Sequence, residues 1–203
     1  MVKQSRSRGG SLTRKALAKR ASAIRLVLTD NDGVLTDTGV YYSPTGEAFK
    51  RFSIRDGMAV RLLRAAGIET AIITGENSPS VRRRAEKLKM RFLYLGIEDK
   101  RLHLDNILSS TKLTIEELAF IGDDVNDLGI IEAIRPHGLT GAPSDAIGAV
   151  RDAVQYRCAT EGGKGAFREF ADWILFLRGQ GVSAPAQAES KLTVGQTSLK
   201  VSA

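Results

Sequence analysis

The sequence predicts a doubly wound parallel α/β sheet with a β-hairpin inserted after its first strand and no cap domain. Three observations carry that prediction. Continuous apolar runs rich in β-branched residues recur along the chain, as buried parallel strands require. Helical patterns separate them, implying right-handed crossovers. Polar or charged residues follow each run, and in such a sheet they gather at one edge, where ligands bind.

The elements follow in order. Residues 1–22 hold Lys3, Arg6, Arg8, Arg14, Lys15, Lys19 and Arg20 and no acid. This stretch reads as a disordered basic extension, with a transit peptide as the competing reading. Ile24–Thr29 is a continuous apolar run and the first strand. Val40–Ser53 breaks the rhythm: two short alternating stretches flank Pro44-Thr-Gly46, a hairpin signal. Met58–Ala66 is helical and stops at Gly67, a natural C-cap. Further strands end at Ala71–Thr74, Phe92–Leu95 and Ala119–Ile121, separated by helical segments at Val81–Leu88 and Leu102–Leu108. Thr114-Ile-Glu-Glu117 is a capping box expected to open another helical turn. Ala166–Leu177 carries Phe167, Phe170, Trp173, Ile174 and Leu177 at helical spacing, the mark of a core-facing stripe. From about Gly179 the chain turns to Gly, Ser, Ala and Gln and reads as a flexible C-terminal tail spanning 179–203. The folded body is therefore 23–178.

Composition narrows the function. The chain has 203 residues and a net charge of +7, but the first 22 residues supply all of that excess. A balanced body argues against nucleic acid as partner. No apolar run approaches the length of a membrane span, and the single cysteine, Cys158, excludes an intrachain disulfide framework and suits the cytoplasm. Cys158 reads as a small buried hydrophobe. His103 and His137 lack ligand company and take structural or surface roles.

The chemistry sits after the strands. Asp30-Asn31-Asp32-Gly33 follows the first, Thr74-Gly75 the second, Lys100 the third, and Gly122-Asp123-Asp124 with Asp127 the fourth. Each alone has a bland reading as cap, turn or solvated charge. Together they place several carboxylates on one edge, where they repel unless a cation neutralises them. Mg²⁺ prefers carboxylate oxygens and shares its shell with phosphate, and a lysine and a hydroxyl at the same edge are phosphate ligands. A carboxylate nucleophile and a second carboxylate two residues on, across a turn closed by Gly33, suit phosphoryl transfer through an aspartyl-phosphate.

These motifs resemble the four of the haloacid dehalogenase superfamily, in order: Asp30-Asn-Asp32-Gly33-Val34, Ile73-Thr74-Gly75, Lys100, and Gly122-Asp123-Asp124-Val-Asn-Asp127. The resemblance covers roughly 24–178 and implies a Rossmann-like core. It implies Asp30 as nucleophile, Asp32 as general acid and base, and Thr74 and Lys100 as ligands of the phosphoryl oxygens. It implies Mg²⁺ held by the Asp30 side chain, the Asp32 carbonyl and Asp123, with Asp124 and Asp127 orienting metal waters and the lysine.

Neither gap where this superfamily inserts a large cap holds enough chain for one, so a neighbouring subunit is expected to cover the site from water. The hairpin aromatics Tyr41, Tyr42, Phe49 and Phe52 suit such an interface, or pack on their own domain. The capless pattern, Phe52-Ser-Ile-Arg-Asp-Gly57 and Gly162-Gly-Lys-Gly-Ala-Phe-Arg-Glu169 resemble the 3-deoxy-D-manno-octulosonate 8-phosphate phosphatase family. That resemblance implies a homotetramer acting on a sugar acid phosphate. Arg55, Asp56, Gly57, Arg61 and Arg84 fall on that family's substrate positions. Glu76, after Gly75, stands where it usually has arginine. Glu76 with Lys87 is similar to the phosphatases of nine-carbon, sialic-acid-type 9-phosphates, because a glutamate repels a substrate carboxylate that an arginine would clamp. The reading tips on that residue toward nine carbons, with the eight-carbon ester close behind. Lys164, before the last helix, is a candidate anion contact, and its glycine loop otherwise a connector. The reading from a different class is a catalytically silent or regulatory partner-binding module of the same fold; Asp32 argues against it, since a silent domain needs no leaving-group acid. Transfer to an acceptor other than water stays open.

Overall fold

The computed structural model describes residues 12–180. The expected C-terminal tail from residue 181 on, and the basic stretch up to residue 11, lie outside the described residues. The elements run α1 (Arg14–Ala23), β1 (Leu26–Thr29), β2 (Val40–Ser43), β3 (Gly46–Lys50), α2 (Ile54–Ala65), β4 (Glu69–Ile73), α3 (Pro79–Lys87), β5 (Phe92–Tyr94), α4 (Leu104–Thr111), β6 (Leu118–Ile121), α5 (Leu128–Ile134), β7 (Leu139–Ala142), α6 (Gly148–Ala153), β8 (Tyr156–Arg157) and α7 (Ala166–Leu177).

Six strands form one sheet in the order β5-β4-β1-β6-β7-β8, and β2 and β3 form a separate hairpin. Every pairing in the large sheet is parallel. β1 lies at its centre, with Leu28 opposite Ala71 on one side and Phe120 on the other. All four β1 residues are buried, which explains the unbroken apolar run. Successive side chains divide between two cores. Val27 and Ile72 join Leu63, Phe167 and Phe170 under α2 and α7. Leu26, Leu28 and Phe120 join Leu104, Ile107, Ile130 and Val150 under α4, α5 and α6. The doubly wound sheet and hairpin are as expected.

The N-terminal expectation needs correction. From Arg14 the basic stretch is helix, started by Thr13, whose hydroxyl accepts the Ala16 N–H at 3.3 Å. Ala21 is buried and Leu17 packs on the α2–α7 core. The Arg20 guanidinium donates to the carbonyls of Arg135 (2.7 Å), Pro136 (2.5 Å) and Gly138 (3.1 Å), groups the end of α5 leaves without helical partners. A charge run thus serves as a helix cap for another element.

Other differences are local. The helix predicted from Met58 starts at Ile54, because Ser53 accepts the N–H of Arg55 at 3.1 Å. Thr114–Glu117 makes a single 3₁₀ turn, with the Glu117 carboxylate accepting the Thr114 N–H at 2.9 Å; pairing of Leu118 with Leu26 then pulls the chain straight into β6. β7, β8, α5 and α6 carry signals too short to read: Leu139-Thr-Gly-Ala lacks an apolar run, and α6 has six residues. Cys158 is buried, its thiol pKa raised by burial. His103 lies edge-on to Tyr94, and His137 faces Glu116 at 3.5 Å on the surface.

Candidate active site

The carboxyl edge of the sheet opens into a cavity of about 360 Å³. Asp30 and Asp32 after β1, Thr74, Gly75 and Glu76 after β4, and Asp123 and Asp124 after β6 line it. The hairpin side adds Thr38, Val40, Tyr42, Glu47 and Lys50.

Beneath the cavity floor lies Lys100, fully buried, from the loop between β5 and α4. Its ammonium is 2.7 Å from Asp30 Oδ1 and 2.6 Å from Asp127 Oδ1. Burial works against that charge, but the two carboxylates outweigh it and raise the lysine pKa. The other oxygen of Asp127 accepts the backbone N–H of Asp123 at 2.8 Å. Asp127 therefore spans the lysine and the loop that carries Asp123.

One oxygen from each of Asp30, Asp123 and Asp127 falls within 4.8 Å of the others. Burial, with the charge of Asp127, pushes the Asp30 pKa up to about 7 against the pull of Lys100. Burial, then Asp30 and Asp127, push Asp123 up to about 8. Asp123 Oδ1 is buried with no hydrogen-bond partner. Asp127 is occupied on both oxygens, so Asp30 and Asp123 remain as the pair suited to a divalent cation; a carboxylate oxygen without a donor, and two carboxyls whose pKa burial and like charge raise, fit the chemistry of such an ion.

The turn after β1 brings the groups this close. Gly33 has φ +90°, and a Cβ there would lie 1.9 Å from Asp123 Oδ2. Only glycine lets the turn and Asp123 meet. The loop at 162–165 packs on the same turn: Gly163 N–H donates to the Val34 carbonyl at 2.9 Å, and a Cβ on Gly162 would strike the Gly33 carbonyl at 1.9 Å. The glycine loop braces the catalytic turn.

Of the predicted substrate contacts, Glu76 and Gly75 line the cavity, and the rest lie elsewhere in this chain. Asp56 is buried between α2 and α7, where Oδ1 accepts the Arg168 N–H at 2.9 Å. It caps α7, whose own N-cap, Gly165, has no side chain to do so. Burial pushes Asp56 up to about 6. Gly57 gives room to Arg84, which donates to the Ser53 carbonyl at 2.7 Å. Arg61 and Lys87 are exposed on their helices. Arg55 and Lys164 line a second cavity of about 440 Å³ with Arg168 and Trp173, and Lys164 pairs with Glu161. The family resemblance implied these positions; in this chain they stand outside the cavity that Asp30 and Asp123 line.

Sequence reasoning missed Lys50 and Glu47. Lys50 Nζ lies 2.8 and 2.7 Å from the two oxygens of Asp32. Glu47 accepts the Ser78 hydroxyl at 2.6 Å, tying the hairpin to the start of α3. A lysine in a hairpin gives no sequence signal, and β3 does not alternate: Ala48, two residues before Lys50, is exposed.

No family model matches the chain. It is 38% identical over 164 residues to the 3-deoxy-D-manno-octulosonate 8-phosphate phosphatase of Haemophilus influenzae, across 81% of this chain and 89% of that protein. It is 34% identical over 179 residues to the phosphatase of that name from Escherichia coli K12, across 88% and 93%. Among solved structures, the Moraxella catarrhalis phosphatase in complex with a magnesium ion, a phosphate ion and a KDO molecule matches with TM-score 0.74 and 32% identity, across 80% of this chain and 92% of that one. Identity sustained over nearly the full length of these enzymes, on the same fold, means that the chain belongs to the 3-deoxy-D-manno-octulosonate 8-phosphate phosphatase family of the haloacid dehalogenase superfamily, and is a phosphoric monoester hydrolase.

Proposed function

We propose that the chain hydrolyses the ester of 3-deoxy-D-manno-octulosonate 8-phosphate with the help of Mg²⁺. The observation that carries this reading is the convergence of Asp30, Asp123 and Lys100 on one floor with Asp32 beside them. The nine-carbon lean from Glu76 is withdrawn: the relatives compared are named for the eight-carbon ester.

Asp30 attacks phosphorus, forming an O–P bond as the ester P–O bond breaks. The departing oxygen keeps that electron pair and takes the proton of Asp32 in its acid form. Water then attacks the aspartyl-phosphate, returns a proton to Asp32, and displaces the Asp30 carboxylate. Lys100 and Thr74 hold the phosphoryl oxygens. Asp30, Asp123 and the Asp32 carbonyl would hold Mg²⁺, which supplies neutralisation of the phosphoryl charge. Asp124 and Asp127 orient the loop and the lysine.

Lys50 is the sole cation among the cavity residues. Clamping a substrate carboxylate, and covering the cavity, therefore fall to a second copy of the chain, in keeping with the homotetramer that the family resemblance implies. The exposed Tyr41, Tyr42 and Phe49, the first and last stacked at 4.5 Å, supply its contact face. The reading places the enzyme in the cytoplasm.

Phosphate release from the eight- and nine-carbon esters, with and without Mg²⁺, tests the reading. Preferred turnover of the eight-carbon ester, lost on chelation, is expected. Equal or better turnover of the nine-carbon ester overturns the substrate assignment, and release indifferent to chelation overturns the metal. Glu76→Arg should move the ratio of the two turnovers by about 3–10-fold.

A further inference from the structure

Lys50 is the only buried residue of either hairpin strand. Its side chain is 1% exposed, although the rest of the strand that carries it is exposed or half-buried. Such burial of an ammonium needs a purpose or a partner. The partner is Asp32, on which Lys50 forms two short contacts, 2.8 Å to Oδ1 and 2.7 Å to Oδ2; Glu47 is farther, at 3.7 Å. The two oxygens of Asp32 differ. Oδ1 also accepts the Asn31 amide at 3.0 Å and the Thr36 hydroxyl at 3.1 Å. Oδ2 has Lys50 alone.

We propose that Lys50 is a positioning residue for proton transfer, clamping Asp32 so that Oδ2 is the atom that gives and takes the proton. Three donors saturate Oδ1 and leave it no capacity for a proton. Oδ2 accepts from Lys50 alone and keeps a free lone pair, on a residue that lines the cavity. Lys50 fixes the plane of the carboxyl, since an ammonium bridging both oxygens opposes its rotation. In the acid form Oδ2 carries the proton to the ester oxygen, and Oδ1 keeps its donors. The hairpin thus reaches into the chemistry through one side chain. This rests on Asp32 being the leaving-group acid.

The test compares kcat/KM for the sugar phosphate with kcat/KM for p-nitrophenyl phosphate. Both report steps up to departure of the leaving group, but only the sugar alkoxide needs a proton donor. The ratio cancels the fraction of folded enzyme. Lys50→Met should lower it at least about tenfold, and Lys50→Gln less. Asp32→Asn is the control. If Asp32→Asn lowers the ratio and both Lys50 variants leave it unchanged, or depress the two substrates equally, the proposal falls. If Asp32→Asn itself leaves the ratio unchanged, the assignment of the leaving-group acid falls first. Lys50→Arg should restore part of the ratio, because a guanidinium also bridges two carboxylate oxygens.

Discussion

The floor of the catalytic cavity comes from strand ends buried on both faces, whereas its wall comes from a hairpin whose strands are exposed or half-buried except at Lys50. On the floor, Asp30, Lys100 and Asp127 form a chain of ion pairs out of water, where each charge is strong and none can be removed alone. On the wall, Tyr41, Tyr42 and Phe49 leave more than half of their surface to solvent. The contrast shows a division of labour. Groups that meet phosphorus sit on the rigid sheet, and groups that meet the rest of the substrate or another subunit sit on an element that can be altered without unfolding the core.

The strongest challenge to this contrast is a conservative change at the floor. Asp30→Asn should cut turnover by at least about 10³-fold while leaving the fold intact by circular dichroism; retained turnover would take the nucleophile off the floor altogether. Lys100→Met comes next. It strands two buried carboxyls, and denaturant titration should show a loss of about 3–5 kcal/mol along with loss of activity. A loss below 1 kcal/mol would mean the floor is no more rigid than the wall.

Asp56 is buried outside both regions and sharpens the contrast through pH. Its folded pKa, near 6, is above the unfolded carboxylate value. The folded state then binds the proton more tightly, so this group's contribution to stability is present at low pH and fades as pH rises from about 4 through 6. Asp56→Asn should flatten the stability curve in that window by up to about 1.4 kcal/mol per pH unit, with little change in kcat. A change in kcat would draw Asp56 into the site. The smallest effect is expected at the wall. Tyr42→Ser with Phe49→Ser should weaken association of subunits by sedimentation and raise KM several-fold, sparing the turnover of p-nitrophenyl phosphate to within about twofold. An unchanged oligomeric state would separate the hairpin from the assembly.

Legibility of the site followed the same boundary. Asp30, Thr74 and Asp123 were readable because each follows a buried apolar run, and Lys100 because it follows the half-buried β5 in the same rhythm; the sheet alone dictates where the end of a parallel strand goes. Lys50 was not, because a hairpin's packing against the body is a contact between segments with no shared period. Arg55, Arg84 and Asp56, which only the family resemblance singled out, stand outside the cavity of their own chain: Asp56 caps α7, Arg84 on α3 holds the Ser53 carbonyl, and Arg55 lines the second cavity. Arg20 misled in the opposite direction, a solvated charge by composition that caps α5 in the fold.

By itself, the order of apolar runs, helical spacings and post-strand carboxylates determined four neighbouring strands of the sheet, the hairpin and the chemistry of the floor, since period and strand polarity are local properties that burial enforces along each run. Tertiary structure decided which oxygen of Asp32 is open, which lysine bridges it, and where the arginines go. Those outcomes depend on distances between segments far apart in sequence, and such distances are set only when the two cores close on both faces of the sheet.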